Sequence, residues 1–398
     1  ARATPPSHPP MALSSISTSA TCRRFGPSPA VPTRPVCSRT LLPSEYSQLE
    51  ATECPVEASG PLLPFPSSFQ ELQAQLSMLR AGAWQPDVHQ LVAVASGSIG
   101  RRVGACIQAC AHHWEDAFPS VSGSPSKAAS VARSGVRLDL TRPRTAIPQH
   151  TLPPSRMGPS ESRLLQVKAQ QWVDQGICVP ITQEMIGEAG MQPLYHNPFF
   201  VEKVDPSELP FGGDFLQAES LGTEDDINLI LSKMRLVLNF KPGLNRYGRP
   251  RHFQQHGLRD AVVLIRRADF MTYVDVQDAF HNVPLHFLYW LLCAFILKDP
   301  ESMKKWPLGL ACTCLVFGVW SAPADFVGML RYMLVICQMF GVRLSDIIDD
   351  ILVMAPSMSE SLRHSMILIL VLRFFGWRIK VEKLALIPSQ IRVYGGMK

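Results

Sequence analysis

The sequence predicts an α+β fold, and four stretches predict it. Ile347-Ile348-Asp349-Asp350-Ile351-Leu352 sets two adjacent carboxylates between apolar, β-branched neighbours. Successive strand residues face opposite ways, so the pair fits best at the tip of a β-hairpin whose arms are the flanking apolar residues. Met271 to Phe280 reads as an apolar strand that delivers Asp275 and then breaks into a small-plus-aromatic turn, Ala279-Phe280. Between and after these strands lie helical patterns, one from about Ala324 to Met339 with Leu330, Leu334 and Ile336, and one over 357–375.

Taken from the start, residues 1–60 are rich in Pro, Ser, Thr and Ala without hydrophobic period, which predicts a disordered tail. Its arginines, with no acidic residue before Glu45, also resemble an organelle transit peptide in composition. Residues 61–159 read as a small helical region and linker. Leu72, Leu76 and Leu79 recur at helical spacing behind Ser67-Ser68, and a second helix is predicted over Ile99 to Trp114. Ser120 to Ser130 reads as a loop, Val136 to Leu140 as a short strand, and Pro143 to Pro159 as an extended linker. Ser160 is the predicted cap of a helix ending before Gly176. Asn197 to Lys203 and Met234 to Lys241 are the arms of a second hairpin, interrupted by an inserted, mobile loop at 204–232. Gly376 to Lys383 reads as turn and strand.

The chain has 398 residues, 46% hydrophobic and 18% charged, enough for a sizeable core and for two or three domains. A net charge of +5 permits a nucleic-acid partner without requiring one. Ten scattered cysteines point to a reduced, intracellular setting, cytoplasmic or nuclear. Cys106 and Cys110 with His112 and His113 can be drawn as a metal site, but no second ligand pair follows at standard spacing, and buried thiols on a helix are the better reading. The apolar runs Phe287 to Leu297 and Met366 to Leu372 fall short of the roughly 20 residues that span a bilayer, so no membrane is expected. The chain begins with Ala1 and stops in an apparent strand region, which reads as part of something longer.

Two Asp residues alone are compatible with a surface turn. One carboxylate at a strand end plus a pair on a later hairpin is the arrangement two-metal phosphoryl transfer needs, with ions about 3.5–4 Å apart bridged by one side chain and flanked by another. Mg²⁺ is the cation such hard oxygen ligands select. Arg235, Lys241, Arg246, Arg249, Arg251 and Arg259 form either a solvated basic face or a phosphate site. Beside the carboxylates, the run favours phosphate.

From about Leu164 to Gly396 these segments, in order, resemble the fingers and palm of a reverse transcriptase, closest in flavour to gypsy- and DIRS-type retrotransposons. The matching stretches are Phe199 to Lys203, Arg235 to Asn245, Phe253 to Asp260, Val274 to Leu285, Phe317 to Pro323, Asp349-Asp350, Gly376 with Lys383, and Tyr394-Gly395-Gly396. His113-Trp114-Glu115 and Gly135 to Leu140 resemble the segment preceding the polymerase in DIRS-type elements. The resemblance implies a right-hand polymerase palm with a ferredoxin-like sheet, plus fingers, over 160–398. It implies RNA-directed DNA synthesis from dNTPs on a primed RNA or DNA template, with two Mg²⁺ ions (or Mn²⁺) as cofactor.

By the same resemblance Asp275, Asp349 and Asp350 are the catalytic triad, and with the carbonyl of Val276 they hold the metals. Lys383 matches the general acid to pyrophosphate. Arg235 and Lys203 match the fingers residues that clamp the triphosphate. Ala279 and Phe280 lie along it, Phe280 as the aromatic gate against a ribose 2′-hydroxyl. Phe317 and Gly318 stand beside the incoming base, and Tyr394, Gly395 and Gly396 match the primer grip. The chain departs from the family pattern at Ile347, where an aromatic is usual, at Trp320, at the extra Gly243, and in lacking any thumb after Gly396. The rival expectation is an inactive retroelement remnant that only binds nucleic acid.

Overall fold

The computed structural model describes residues 56–97, 103–120, 124–149, 157–203 and 223–394. The predicted tail lies outside them up to residue 55, as do residues 204–222 of the predicted insertion and Gly395 and Gly396 of the predicted primer grip.

Helix α1 (Phe69–Ala81) starts where Ser68 accepts the Glu71 amide and stops at the left-handed Gly82. It buries Leu72, Leu76 and Leu79 completely. The predicted second helix, whose residues 99–102 lie outside the described ones, is instead two short helices, α3 (Cys106–Ala109) and α4 (Ala111–Ala117), and a helix the sequence reading missed, α2 (Val88–Ser96), precedes them. The predicted loop before residue 130 gives way to α5 (Lys127–Ser134), which Ser126 caps and which buries only Ala128, Ala129 and Ala132. Alanine carries too little hydrophobic contrast to mark that face in a sequence. The predicted strand Val136 to Leu140 survives only as isolated bridges to Leu285 and Gly248.

Helix α6 (Pro159–Asp174) follows, with Pro159 rather than Ser160 opening it behind Gly158. Then come β1 (Cys178–Pro180), α7 (Gln183–Ala189), β2 (Asn197–Glu202), α8 (Glu224–Lys233) and β3 (Met234–Asn239). Strands β2 and β3 pair antiparallel as predicted, Phe200 opposite Leu236. The end of the predicted insertion is helical. Thr223 and Asp226 form a capping box, and the acidic residues read as loop are the first turn of α8. Ile227, Ile230 and Leu231 bury against Leu164 of α6.

The remaining elements are α9 (Leu258–Leu264), β4 (Phe270–Asp275), β5 (Ala294–Phe295), α10 (Pro300–Lys305), β6 (Leu310–Cys312), α11 (Ala322–Met339), β7 (Arg343–Ile347), β8 (Asp350–Ala355), α12 (Met358–Phe374) and β9 (Ala385–Ser389). Four strands form an antiparallel sheet in the order β7-β8-β4-β9. With α11 after β4 and α12 after β8, this is the split βαβ arrangement of the ferredoxin-like fold, as expected from the sequence. Short β1, β6 and β5 form a second sheet.

Alternation along β4 and β8 decides what each face carries. Val274, Ile351 and Val353 join the main core under α11 and α12. Met271, Leu352 and Met354 face the other way, against Ala261 of α9 and Tyr394. Helix α12 is buried nearly all round because α1 and α2 pack on it from the side away from the sheet. Residues on both sides of position 159 therefore share one core, which includes Leu72, Trp114, Phe280 and Leu386. No helix among the described residues is long and apolar enough to cross a membrane.

Candidate active site

Asp275 ends β4 and Asp350 begins β8, and the register places them directly opposite each other. The two residues between β7 and β8, Ile348 and Asp349, are the hairpin loop. Ile348 has φ +57°, the left-handed value that a tight two-residue hairpin demands of its first loop residue. A β-branched side chain is strained there. The Val276 amide donates to the Asp349 carbonyl (3.0 Å), tying the end of β4 to the loop. Chain pairing alone thus brings all three predicted carboxylates to one sheet edge.

Lys383 reaches the same edge from a 3₁₀ turn, its Nζ 2.7 Å from Oδ2 of the buried Asp275. The neighbouring Lys380 amide donates to the Asp275 carbonyl at 3.0 Å. Tyr273, two residues before Asp275 and on the same strand face, donates its hydroxyl to Asp350 Oδ1 and lies 3.3 Å from Asp275 Oδ2. The Tyr394 hydroxyl sits between the carbonyls of Ser345 and Asp350, at 3.1 and 3.2 Å.

Burial, then the charge of Asp275, pushes the Asp349 carboxyl up to about 6. Burial also raises Asp275, against the pull of Lys383. Burial opposes the charged form of Lys383, but its bond to Asp275 outweighs this and holds the ammonium above its usual range. Tyr273 is raised by burial and by its bond to Asp350, so its proton stays on.

Among the described residues, no three His, Cys, Asp or Glu side chains already meet as an ion cage. Yet the donors fit divalent cations: three hard carboxylates crowd one edge at an electrostatic cost, and the Lys383 ammonium stands on one of them as a cation would. The alternative metal group near Cys106 is not formed. His113 packs its ring 3.9 Å from that of Phe374, and burial pushes its pKa down to about 4.

The predicted nucleotide residues also converge. Phe280 is buried, its ring centroid 4.7 Å from Phe317 and 5.6 Å from Phe326. The Arg235 guanidinium lies over the Phe317 ring at 4.3 Å. Gly318 has φ +104°, and a Cβ there would stand 2.3 Å from the Leu238 carbonyl oxygen, so only glycine lets this loop pass the end of β3. Asn245 Nδ2 donates to the Gly318 carbonyl at 2.8 Å. Lys203 donates from Nζ to the Ser232 carbonyl, at 3.0 Å. Crowding by protein atoms, then repulsion from Lys168 and Lys380, pushes its ammonium down to about 8.

Residues 227–396 match the family model described as reverse transcriptase (RNA-dependent DNA polymerase). This segment is a reverse transcriptase domain. It takes in both sides of the carboxylate edge, the Arg235 strand and the Phe317 loop. Helix α6 and the β2 strand with Lys203 precede the matched segment. Solved structures of prototype foamy virus protease–reverse transcriptase resemble the chain at 15% identity over 63% of it and 27% of theirs (TM-score 0.44), and at 14% over 88% and 34% (TM-score 0.48). A foamy viral protease–reverse transcriptase in complex with double-stranded DNA gives 14% identity over 92% of this chain and 47% of its own (TM-score 0.48). The chain thus spans less than half of each of these proteins. No curated protein matches it.

Reading the sequence missed several participants. Tyr273 was findable, since period-2 spacing from Asp275 places it on the same face. Lys168 was not. It sits one helical turn before Trp172 of α6, whose ring is 5.4 Å from His281. Burial lowers its pKa and Asp278 opposes this. His281, both ring nitrogens buried without partners, is pushed down to about 4 by burial.

Proposed function

We propose that the chain is an RNA-directed DNA polymerase of a retroelement, of the gypsy/DIRS kind, extending a primer on an RNA or DNA template from dNTPs. The observation that carries this is the carboxylate edge, Asp275 facing Asp350 with Asp349 on the adjoining loop and Lys383 on Asp275. Divalent cations held by Asp275, Asp349, Asp350 and the Val276 carbonyl, Mg²⁺ by donor chemistry, would supply charge neutralisation for the attacking and leaving oxygens.

The chain's own residues do the rest. Tyr273 steadies Asp350 by donating its hydroxyl to Oδ1, with Asp275 Oδ2 at 3.3 Å as the alternative acceptor. Arg235, flattened on Phe317, offers a planar fork to phosphate oxygens, with Lys203 nearby. Phe280 is locked by Phe317 and Phe326, a wall where a 2′-hydroxyl would project. Lys383 keeps its proton at neutral pH and can hand it to the departing pyrophosphate oxygen. Tyr394, with Gly395 and Gly396, is assigned to the primer strand.

The test is incorporation of dNTP and rNTP on a primed RNA template with Mg²⁺. The wild-type chain is expected to take dNTP. Asp349→Ala is expected to lose roughly a thousand-fold, about 4 kcal/mol of transition-state stabilisation. Phe280→Ala is expected to admit rNTP, with a stability cost of about 3 kcal/mol because the ring is also core. Primer–template binding without extension by the folded wild-type chain would establish the remnant reading instead.

A further inference from the structure

Helix α11 leaves one face open. Gly328, Tyr332, Val335 and Met339 fall at i, i+4, i+7 and i+11, a single stripe along the helix. Val335 is 51% exposed and Met339 69%, large apolar surfaces that a folded chain usually covers. Across from the stripe runs α5, and the two helices wall a groove of about 870 Å³. Its rim is basic, with Lys127, Arg137, Arg251 and Arg331 against one carboxylate, Asp325, which Arg251 already pairs.

Gly328 adds an independent observation. Glycine in a helix interior is destabilising relative to alanine. The usual internal reason, close approach of another part of the same chain, is absent among the described residues, since a Cβ at Gly328 would meet none of their atoms within 4 Å. A bare backbone patch in the floor of an open groove suits close approach from outside.

The chemistry of the groove selects among occupants. The tail of this chain carries Arg2, Arg23, Arg24, Arg34 and Arg39 with no acid before Glu45, so the rim repels it. Single-stranded nucleic acid needs aromatic faces for its bases. The groove holds two aromatic rings, Tyr332 and Phe118, but they pack edge-on against each other at 5.1 Å, and Trp114 meets Tyr332 edge-on at 6.5 Å; the rest of the apolar lining is aliphatic. Aliphatic knobs at helical spacing with acidic flanks match both floor and rim. We propose that the α5–α11 groove docks an acidic amphipathic helix of a partner protein.

The test uses the full chain and a labelled 16-residue helical peptide with Leu at i, i+3, i+4 and i+7 and Glu on both flanks, read by fluorescence anisotropy. Binding in the micromolar range is expected, weakening with salt. Val335→Glu and Gly328→Leu are each expected to cut affinity at least tenfold, with primer extension unchanged. Val335 is half exposed, so its variant stays folded even if Gly328→Leu does not. Gly328→Ala is expected to melt higher than the parent yet bind the peptide more weakly, a combination a purely structural role for Gly328 does not give. Equal binding of a Lys-flanked or scrambled peptide, or no binding, overturns the proposal. So does tighter binding of (dT)16 that Val335→Glu abolishes, which assigns the groove to nucleic acid. Self-association of the parent that Val335→Glu dissolves overturns it in favour of a second copy.

Discussion

Asp349 is a carboxylate kept where charge is expensive. Its folded pKa, about 6, lies above the ordinary aspartate value, so the folded chain binds the proton more tightly than the unfolded chain. The penalty is therefore present above pH 6 and fades as pH falls through 6 towards 4. Asp349→Asn removes it, and the metal-free variant is expected to be more stable than wild type by roughly 1–2 kcal/mol at pH 8 and no more stable near pH 4. Mg²⁺ should reverse the ranking, raising the melting temperature of wild type alone. Thermal melts at the two pH values, with and without Mg²⁺, check both halves. The sequence pointed to Asp275, Asp349 and Asp350 because carboxylates among apolar strand residues carry their own chemistry, and to Lys383 only through the family resemblance. It hid the placing of Lys168 and His281, which come together only where α6 meets the 3₁₀ turn Ala279–Asn282 after folding.

At the scale of elements, the β7–β8 hairpin combines strain with anchorage. Ile348 holds a left-handed conformation that costs about 1–3 kcal/mol. Ile348→Gly is expected to raise stability by roughly 1 kcal/mol after loss of side-chain packing, and to slow dNTP incorporation because the loop presenting Asp349 loosens. Denaturant melts and single-turnover rates read the two effects separately. At the far end of the strands, Arg343 of β7 grips Asp269, just ahead of β4, through both carboxylate oxygens, at 2.6 and 2.7 Å. Burial works against the Asp269 charge, but Arg343 and the Arg266 amide outweigh it and hold the pKa below the usual range. Its contribution is thus present above the unfolded pKa and lost as pH falls through the lowered folded one. Asp269→Ala strands a partly buried guanidinium and is expected to cost about 2–4 kcal/mol at pH 7, and less at pH 3, by urea melts. Strands with apolar runs or alternation and helices with apolar residues at helical spacing were legible in the sequence: β2, β3, β4, β8, α1, α11 and α12. Strands β1, β5, β6 and β9 were not. They are two to five residues long and exist because of partners far along the chain. Helix α8 was misread because acidic residues stabilise a helix start as readily as they populate a loop.

For the whole molecule, the reverse transcriptase domain is not packed as an autonomous body. Trp114, fully buried, donates from Nε1 to the Phe375 carbonyl at 3.0 Å, and its ring meets Phe375 and Tyr332 edge-on. Trp114→Ala is expected to destabilise the chain by about 3–5 kcal/mol and to lower the yield of active protein, although it lies outside the matched segment. A single cooperative melt reporting both Trp114 and the carboxylate edge checks that the two regions unfold together.

That bond also joins residues 261 positions apart. On a ribosome adding about 5–20 residues per second, roughly 13–50 s pass between synthesis of Trp114 and of the carbonyl it needs. For that interval the faces of α1 and α2 that pack on α12 have no surface to close on. The nascent chain's exposure to chaperones and proteases is then set by translation speed through the polymerase segment, and slowed codons there are expected to cost folded yield without changing one amino acid.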